Sequence, residues 1–329
     1  MLIIVAHHYV VNSGLLTLVE AQESLELKDI FLLLFGWGGK TGINCFVLIT
    51  GYFMCTSNIT VKKFCKLIGE RYFYSIILWI IFLVTGYEVF SLKVFLNVVF
   101  PFFTVANNFT GCFLLFYLFI PFINCLISTI DEKQHLTLLG LCLLIYTVLP
   151  SFAKANVSFN YVTWFIILYC ISSYIRLYPK KWFDSQKLWI GLASTSLVIS
   201  WMSIIVLAYV GKRLGKIGIE YFEVADCNKI LAVTTAISLF MFFRNLKIKQ
   251  NSFINTVAAS TFGVLLIHAN SDTMRRFLWG DILKNTSFYN SPYLIIHAII
   301  SVLGVYSICT IIDWLRIHFI EKPILQKID

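Results

Sequence analysis

Two adjacent histidines, His7 and His8, interrupt an apolar run that begins at Met1 and continues to Val19. An ionisable side chain inside such a run is costly in hydrocarbon, so it faces protein or a water-filled cavity. Neighbouring helical positions point about 100° apart, so both rings cannot look into one site. His8 lies roughly halfway along the run, reachable from either side through a cavity. A neutral imidazole, with an ordinary pKa of about 6.5, is the usual general base near pH 7. The same ring can instead brace two helices by a hydrogen bond. The residues alone leave both roles open.

Four further stretches carry residues that could contribute. His268 and Asp272 are four apart and would share a helix face at a membrane boundary, with Arg275, Arg276 and Trp279 just beyond. Arginine suits a carboxylate or phosphate, and tryptophan offers a flat apolar platform to a sugar. Tryptophan also gathers at membrane interfaces for no functional reason. Lys62, Lys63, Lys66 and Arg71 form a basic cluster. They satisfy either ordinary membrane topology or a phosphorylated donor. Thr50-Gly51 is a small-residue step at which helices can approach closely. Asp313 and Glu321-Lys322-Pro323 read as a helix stop with local ion pairing. The nine cysteines show no CxxC pair or Cys/His spacing for a metal, so they read as small buried hydrophobes.

These residues are expected to be carried on membrane helices. The chain is 59% hydrophobic and 13% charged, with a mean hydropathy of +0.81, whereas soluble domains run near 25% charged. A span needs about 20 apolar residues. That criterion predicts an all-α polytopic protein of ten helices: Met1–Val19, Phe31–Cys55, Leu67–Gly86, Phe109–Ile130, Leu136–Pro150, Tyr161–Leu177, Leu188–Val210, Ile230–Phe243, Phe253–Asn270 and Tyr293–Trp314. The second is broken by Gly36, Gly38, Gly39 and Gly42, which suggests a kinked or re-entrant entry. Val94–Thr104 is too short to cross and suits the interface. The first run lacks a basic flank and a cleavage site, so it is read as a retained span.

With both termini cytoplasmic, the inner segments carry 15 basic and 7 acidic residues and the outer loops 10 of each. The positive-inside rule favours that orientation. It also explains the net charge of +9 without nucleic acid. No linker or repeat appears, so residues 1–329 are expected to form a single integral-membrane domain. A transporter or flippase would also suit ten spans, mid-membrane histidines and a broken helix.

Taken in order, four stretches resemble the integral-membrane acyltransferase-3 family of bacterial O-acyltransferases. They are His7-His8-Tyr9, Phe46-Val-Leu-Ile-Thr50-Gly51-Tyr52, Phe262-Gly263-Val-Leu-Leu-Ile-His268 and Phe319-Ile-Glu321-Lys322-Pro323. The resemblance implies a multi-pass enzyme of the bacterial plasma membrane with no tightly bound cofactor. It would move an acetyl group from cytoplasmic acetyl-CoA to a cell-surface glycan or its lipid-linked precursor. An acyltransferase with a small cytoplasmic acceptor is the nearer alternative. The family's first-helix histidine falls on His8, making it the catalytic candidate with His7 as runner-up. The donor would lie near Lys62, Lys63, Lys66 and Arg71, and the acceptor near His268, Asp272, Arg275, Arg276 and Trp279. Two departures stand out. The family's arginine before this histidine would precede Met1, which implies a late start or a defective member. Its serine before Gly-Tyr is Thr50, which keeps a hydroxyl.

Overall fold

The computed structural model describes residues 1–100, 109–152 and 160–326. Residues 101–104 of the interfacial segment and Lys327, one of the inner basic residues, lie outside them. In lipid every backbone N–H and C=O must be satisfied internally, which a helix does within one segment. The described residues accordingly fold into helices, with no strand among them. In chain order these are α1 Leu2–Val11, α2 Leu15–Ala21, α3 Leu27–Phe35, α4 Gly39–Met54, α5 Val61–Val84, α6 Leu92–Val99, α7 Phe109–Thr129, α8 Glu132–Leu143 and α9 Leu149–Phe152. There follow α10 Tyr161–Leu177, α11 Gln186–Leu214, α12 Ile230–Arg244, α13 Ser252–Ala259, α14 Thr261–His268, α15 Asp272–Arg275, α16 Leu294–Arg316 and α17 Lys322–Gln326.

Six helical segments are long and apolar enough to cross a bilayer, or eight if each bent pair counts as one span. The bent pairs are α1 with α2, at 52°, and Ser252–His268 with Asp272–Phe288, at 94°. Helices α10 and α12 are apolar but have 17 and 15 residues. At 1.5 Å per residue they reach about 26 and 23 Å, short of the ~30 Å hydrocarbon core. Ten spans result only if both cross as short helices. Apolar side chains on the lipid side stay exposed, among them Ile76, Ile80 and Ile81 on α5 and Ile295, Ile299 and Ile311 on α16. Such continuous apolar faces fit a membrane.

The chain forms two compact units interleaved in sequence. The first comprises Met1–Gly36, Glu70–Val99 and Ile248–Asp329. In it α1 packs on α16 and α3, and α14 packs on α16. Gly14 turns the chain between α1 and α2 at φ +86°, a left-handed conformation that favours glycine. Glu26 and Asp29 cap the start of α3 reciprocally. Asp29 also accepts a 2.5 Å hydrogen bond from the Tyr289 hydroxyl. The second unit comprises Trp37–Gly69 and Phe100–Lys247. There α4 packs on α10 and α12, α12 on α11, and α10 on α7. A buried amide knits these elements: Asn44 Nδ2 donates to the Cys227 carbonyl at 2.7 Å, and Trp164 Nε1 donates to Asn44 Oδ1 at 2.9 Å.

Asp313 does more than end a helix. Asp313 is wholly buried, and its Oδ1 accepts from the Tyr74 hydroxyl at 2.7 Å and from Arg316 Nε at 2.8 Å. Arg316 also pairs with Glu321 at 2.7 Å and with Glu70 at 3.2 Å. One guanidinium therefore serves three carboxylates drawn from α5, α16 and the turn after α16. Gly263 faces this cluster. A Cβ at that position would overlap the Asp313 carboxylate, so α14 and α16 meet this closely only because Gly263 has no side chain.

Candidate functional site

The triplet His7-His8-Tyr9 sends three successive side chains in three directions, as a 100° step requires. His7 Nδ1 lies 2.6 Å from the Gly36 carbonyl just past the end of α3. A carbonyl only accepts, so this nitrogen donates, and His7 ties α1 to α3. Tyr9 is fully buried, and its hydroxyl lies 2.8 Å from His297 Nδ1 on α16. Its carbonyl accepts from Asn285 Nδ2 at 3.0 Å and from Ser13 Oγ at 2.6 Å. His297 stacks on Phe288 at 3.8 Å between ring centroids.

His8 Nδ1 lies 3.0 Å from His268 Nε2, at the end of α14. The proton positions in this pair follow from the next bond. His268 Nδ1 is 2.6 Å from the Val264 carbonyl, which can only accept. That nitrogen therefore carries hydrogen, and in the neutral ring Nε2 is the acceptor. His8 must then donate from Nδ1, which leaves the lone pair of His8 on Nε2. A base atom with a fixed tautomer results, oriented by a second ring that is itself anchored to backbone. His268 is 0% exposed, whereas His8 is half-buried.

One turn beyond His8, Asn12 and Ser13 line a cavity of about 340 Å³ together with Asp272, Arg275, Arg276 and Gly280. Asn12 Nδ2 and Arg275 Nε are buried without a protein partner. Unsatisfied buried donors are few in native structures, and here two of them border one cavity. A ligand rich in hydroxyl, carbonyl or anionic oxygen would satisfy both. Arg275 also pairs with Asp272 at 2.8 Å, and the Arg276 guanidinium sits 5.4 Å from the Tyr87 ring.

Two of the proposed acceptor contacts take other roles. Trp279 is 0% exposed and packs edge-on to Tyr9 at 6.1 Å, so no ring face is presented to a sugar. His268 and Asp272 do not share a helix face, because the chain breaks at Ala269–Ser271 and the flanking helices diverge by 94°. His268 belongs with His8; Asp272, Arg275 and Arg276 belong with the cavity.

The expected donor cluster also divides. Lys62, Lys63 and Lys66 are exposed on the first turns of α5. Lys63 donates to Ser57 Oγ at 3.1 Å and to the Asn58 carbonyl at 2.8 Å. Arg71 is buried, and its guanidinium donates to the Val98 carbonyl and, at 3.1 Å, to that of Asn97. Those carbonyls end α6, whose last turn has no intrahelical donors for them. Arg71 thus caps the end of α6.

His297, Asn285 and the Glu70–Arg316 pair join these networks without having stood out along the chain. A histidine in the last apolar span was a usable signal for the first. Asn285 and Glu70 sit in stretches with no pattern that marks them.

A family model described as an acyltransferase domain matches residues 1–314. No curated protein and no solved structure matches the chain.

Proposed function

The chain belongs to the acyltransferase-3 family, and from that premise we propose that this multi-pass membrane acyltransferase is an O-acetyltransferase of the bacterial plasma membrane. It moves an acetyl group from cytoplasmic acetyl-CoA to a hydroxyl of a cell-surface polysaccharide or its lipid-linked precursor. The observation that carries this reading is the His8–His268 pair, whose hydrogen bonding puts the His8 lone pair on Nε2.

An acceptor hydroxyl has a pKa far above 7 and needs a base to become a nucleophile. His8 Nε2 takes that proton as the oxygen attacks the thioester carbonyl. The tetrahedral intermediate collapses with cleavage of the C–S bond, and the proton on His8 returns to the departing thiolate. His268 accepts the Nδ1–H throughout and so stabilises the imidazolium formed in between. An alternative order has Nε2 carry the acetyl group briefly before the hydroxyl takes it. The acceptor oxygens occupy the cavity bordered by Asn12, Asp272, Arg275 and Arg276, and positioning both substrates supplies much of the remaining rate.

The test is transfer from labelled acetyl-CoA by the purified protein in nanodiscs supplied with the glycan precursor. His8→Ala should reduce transfer by about 10²–10⁴-fold, the usual worth of a general base, while the protein still inserts. Normal transfer in that variant would remove His8 from the mechanism. Glycan movement across the membrane without acetyl incorporation would favour a flippase.

A further inference from the structure

A second polar cluster lies in the other unit, at the ends of α4, α10 and α12. Its geometry starts from a close helix contact. A Cβ on Gly51 would collide with Ser172 Oγ and lie 2.9 Å from Tyr169 Cα, so α4 and α10 touch almost backbone to backbone. The next residue of α4 is Tyr52, and one turn past Ser172 on α10 is Arg176. Arg176 Nη1 donates to the Tyr52 hydroxyl oxygen at 3.2 Å, with the guanidinium 4.9 Å from the ring. On the third helix Phe240 packs edge-on to Tyr52 at 5.5 Å. One turn later Arg244 Nε donates to the same oxygen, also at 3.2 Å.

Two guanidinium groups thus converge on one neutral hydroxyl. Among the described residues the carboxylate in contact is Asp184, 3.1 Å from Arg244 Nη1 and 70% exposed. Arg244 Nη1 also donates to Asn245 Oδ1 at 3.2 Å and to the Phe183 carbonyl at 3.4 Å. Arg176 makes no ion pair among the described residues. Helix dipoles favour arginine in a last turn. They do not explain why two such groups share one hydroxyl oxygen. The buried Arg316 cluster shows the structural solution, three carboxylates around one cation; here the balance is reversed.

We propose that Tyr52, Arg176 and Arg244 hold a phosphate group, that of the CoA thioester donor. Arginine presents two parallel N–H donors to a phosphate, and the Tyr52 hydroxyl spaces the two forks. Along the chain Arg176 and Arg244 stand close to Lys180, Lys181, Lys187 and Lys247, a concentration that the positive-inside rule assigns to the cytoplasm, where CoA is found. This assignment rests on the acetyl-transfer reading, and lipid headgroups carry the same phosphate chemistry.

The experiment measures binding to the full chain in nanodiscs of neutral lipid, using CoA, dephospho-CoA and inorganic phosphate, and repeats it with phosphatidylglycerol in the bilayer. Arg176→Gln/Arg244→Gln should weaken CoA binding on the order of 10- to 100-fold, from the loss of charged hydrogen bonds. It should also erase the wild-type preference for CoA over dephospho-CoA. Arg176→Gln alone, at an exposed position, should give about a tenfold loss even if the double variant fails to insert. Unchanged CoA affinity in the Arg176 variant would overturn the site while leaving acetyl transfer intact. Phosphatidylglycerol that competes through these arginines in a protein that ignores CoA would overturn the donor assignment. A wild-type protein that binds CoA through them yet transfers no acetyl group would instead sink the transfer reading alone.

Discussion

Gly51 and Gly263 do the same thing in different units and admit different neighbours. Each lets two helices meet at a distance that a Cβ would forbid. At Gly51 the space is taken by a serine hydroxyl and by backbone, and the charges gather one turn away, where two arginines share a tyrosine. At Gly263 the space is taken by a charge itself, the Asp313 carboxylate, held by Arg316 and Tyr74. The first cluster has more cation than anion and borders exposed side chains; the second is sealed and has more anion than cation. A buried, internally paired network is a scaffold, because any missing partner leaves an uncompensated charge in low dielectric. A cluster with unused guanidinium donors near the surface is suited to a ligand. The Gly263 network also lies on α14, which ends in His268, so its rigidity bears on the His8–His268 distance.

The contrast can be broken most directly at Arg316. Arg316→Leu would leave Glu70, Asp313 and Glu321 with no cation, and the loss should be about 3–5 kcal/mol. A large fall in melting temperature in detergent, or failure to insert, is the expected result. Arg244→Leu should have a much smaller effect on melting; equal losses would end the distinction between scaffold and site. Gly263→Ala and Gly51→Ala come next. Each forces helices apart at a cost of about 1–3 kcal/mol. Gly263→Ala should also lower acetyl transfer by shifting His268 from His8, while Gly51→Ala should chiefly raise the KM for acetyl-CoA by moving Tyr52 from Arg176. Reversed kinetic signatures would mean that the two clusters have exchanged roles. The smallest effect belongs to Tyr52→Phe, which removes one shared acceptor and should cost about 0.5–1.5 kcal/mol, read as a modest drop in melting temperature.

Much of the fold was legible along the chain. Long apolar runs marked most of the helices, and the glycines from Gly36 to Gly42 marked the break between α3 and α4. His7-His8 was recognisable as costly, and the 100° step correctly implied that the two rings part company. The candidate site was legible only in pieces. Trp279 looked like an interfacial platform, yet it is sealed against Tyr9. Arg71, in the basic cluster of the chain, meets the carbonyls that end α6, 26 positions away. Asp313 looked like a terminal ion pair, yet it meets Tyr74, 239 positions away.

The order of residues along the chain sets where it is apolar, where it must break and which residues are expensive to bury. Those are local sums over neighbouring side chains, and hydropathy along one segment is enough to evaluate them. What each expensive residue bonds to is settled when the helices pack. His8 finds His268 across 260 positions, and the tautomer that leaves its Nε2 basic depends on the Val264 carbonyl beneath that second ring. A hydrogen-bond partner is chosen by which helix faces pack together, and no window along the chain contains that information.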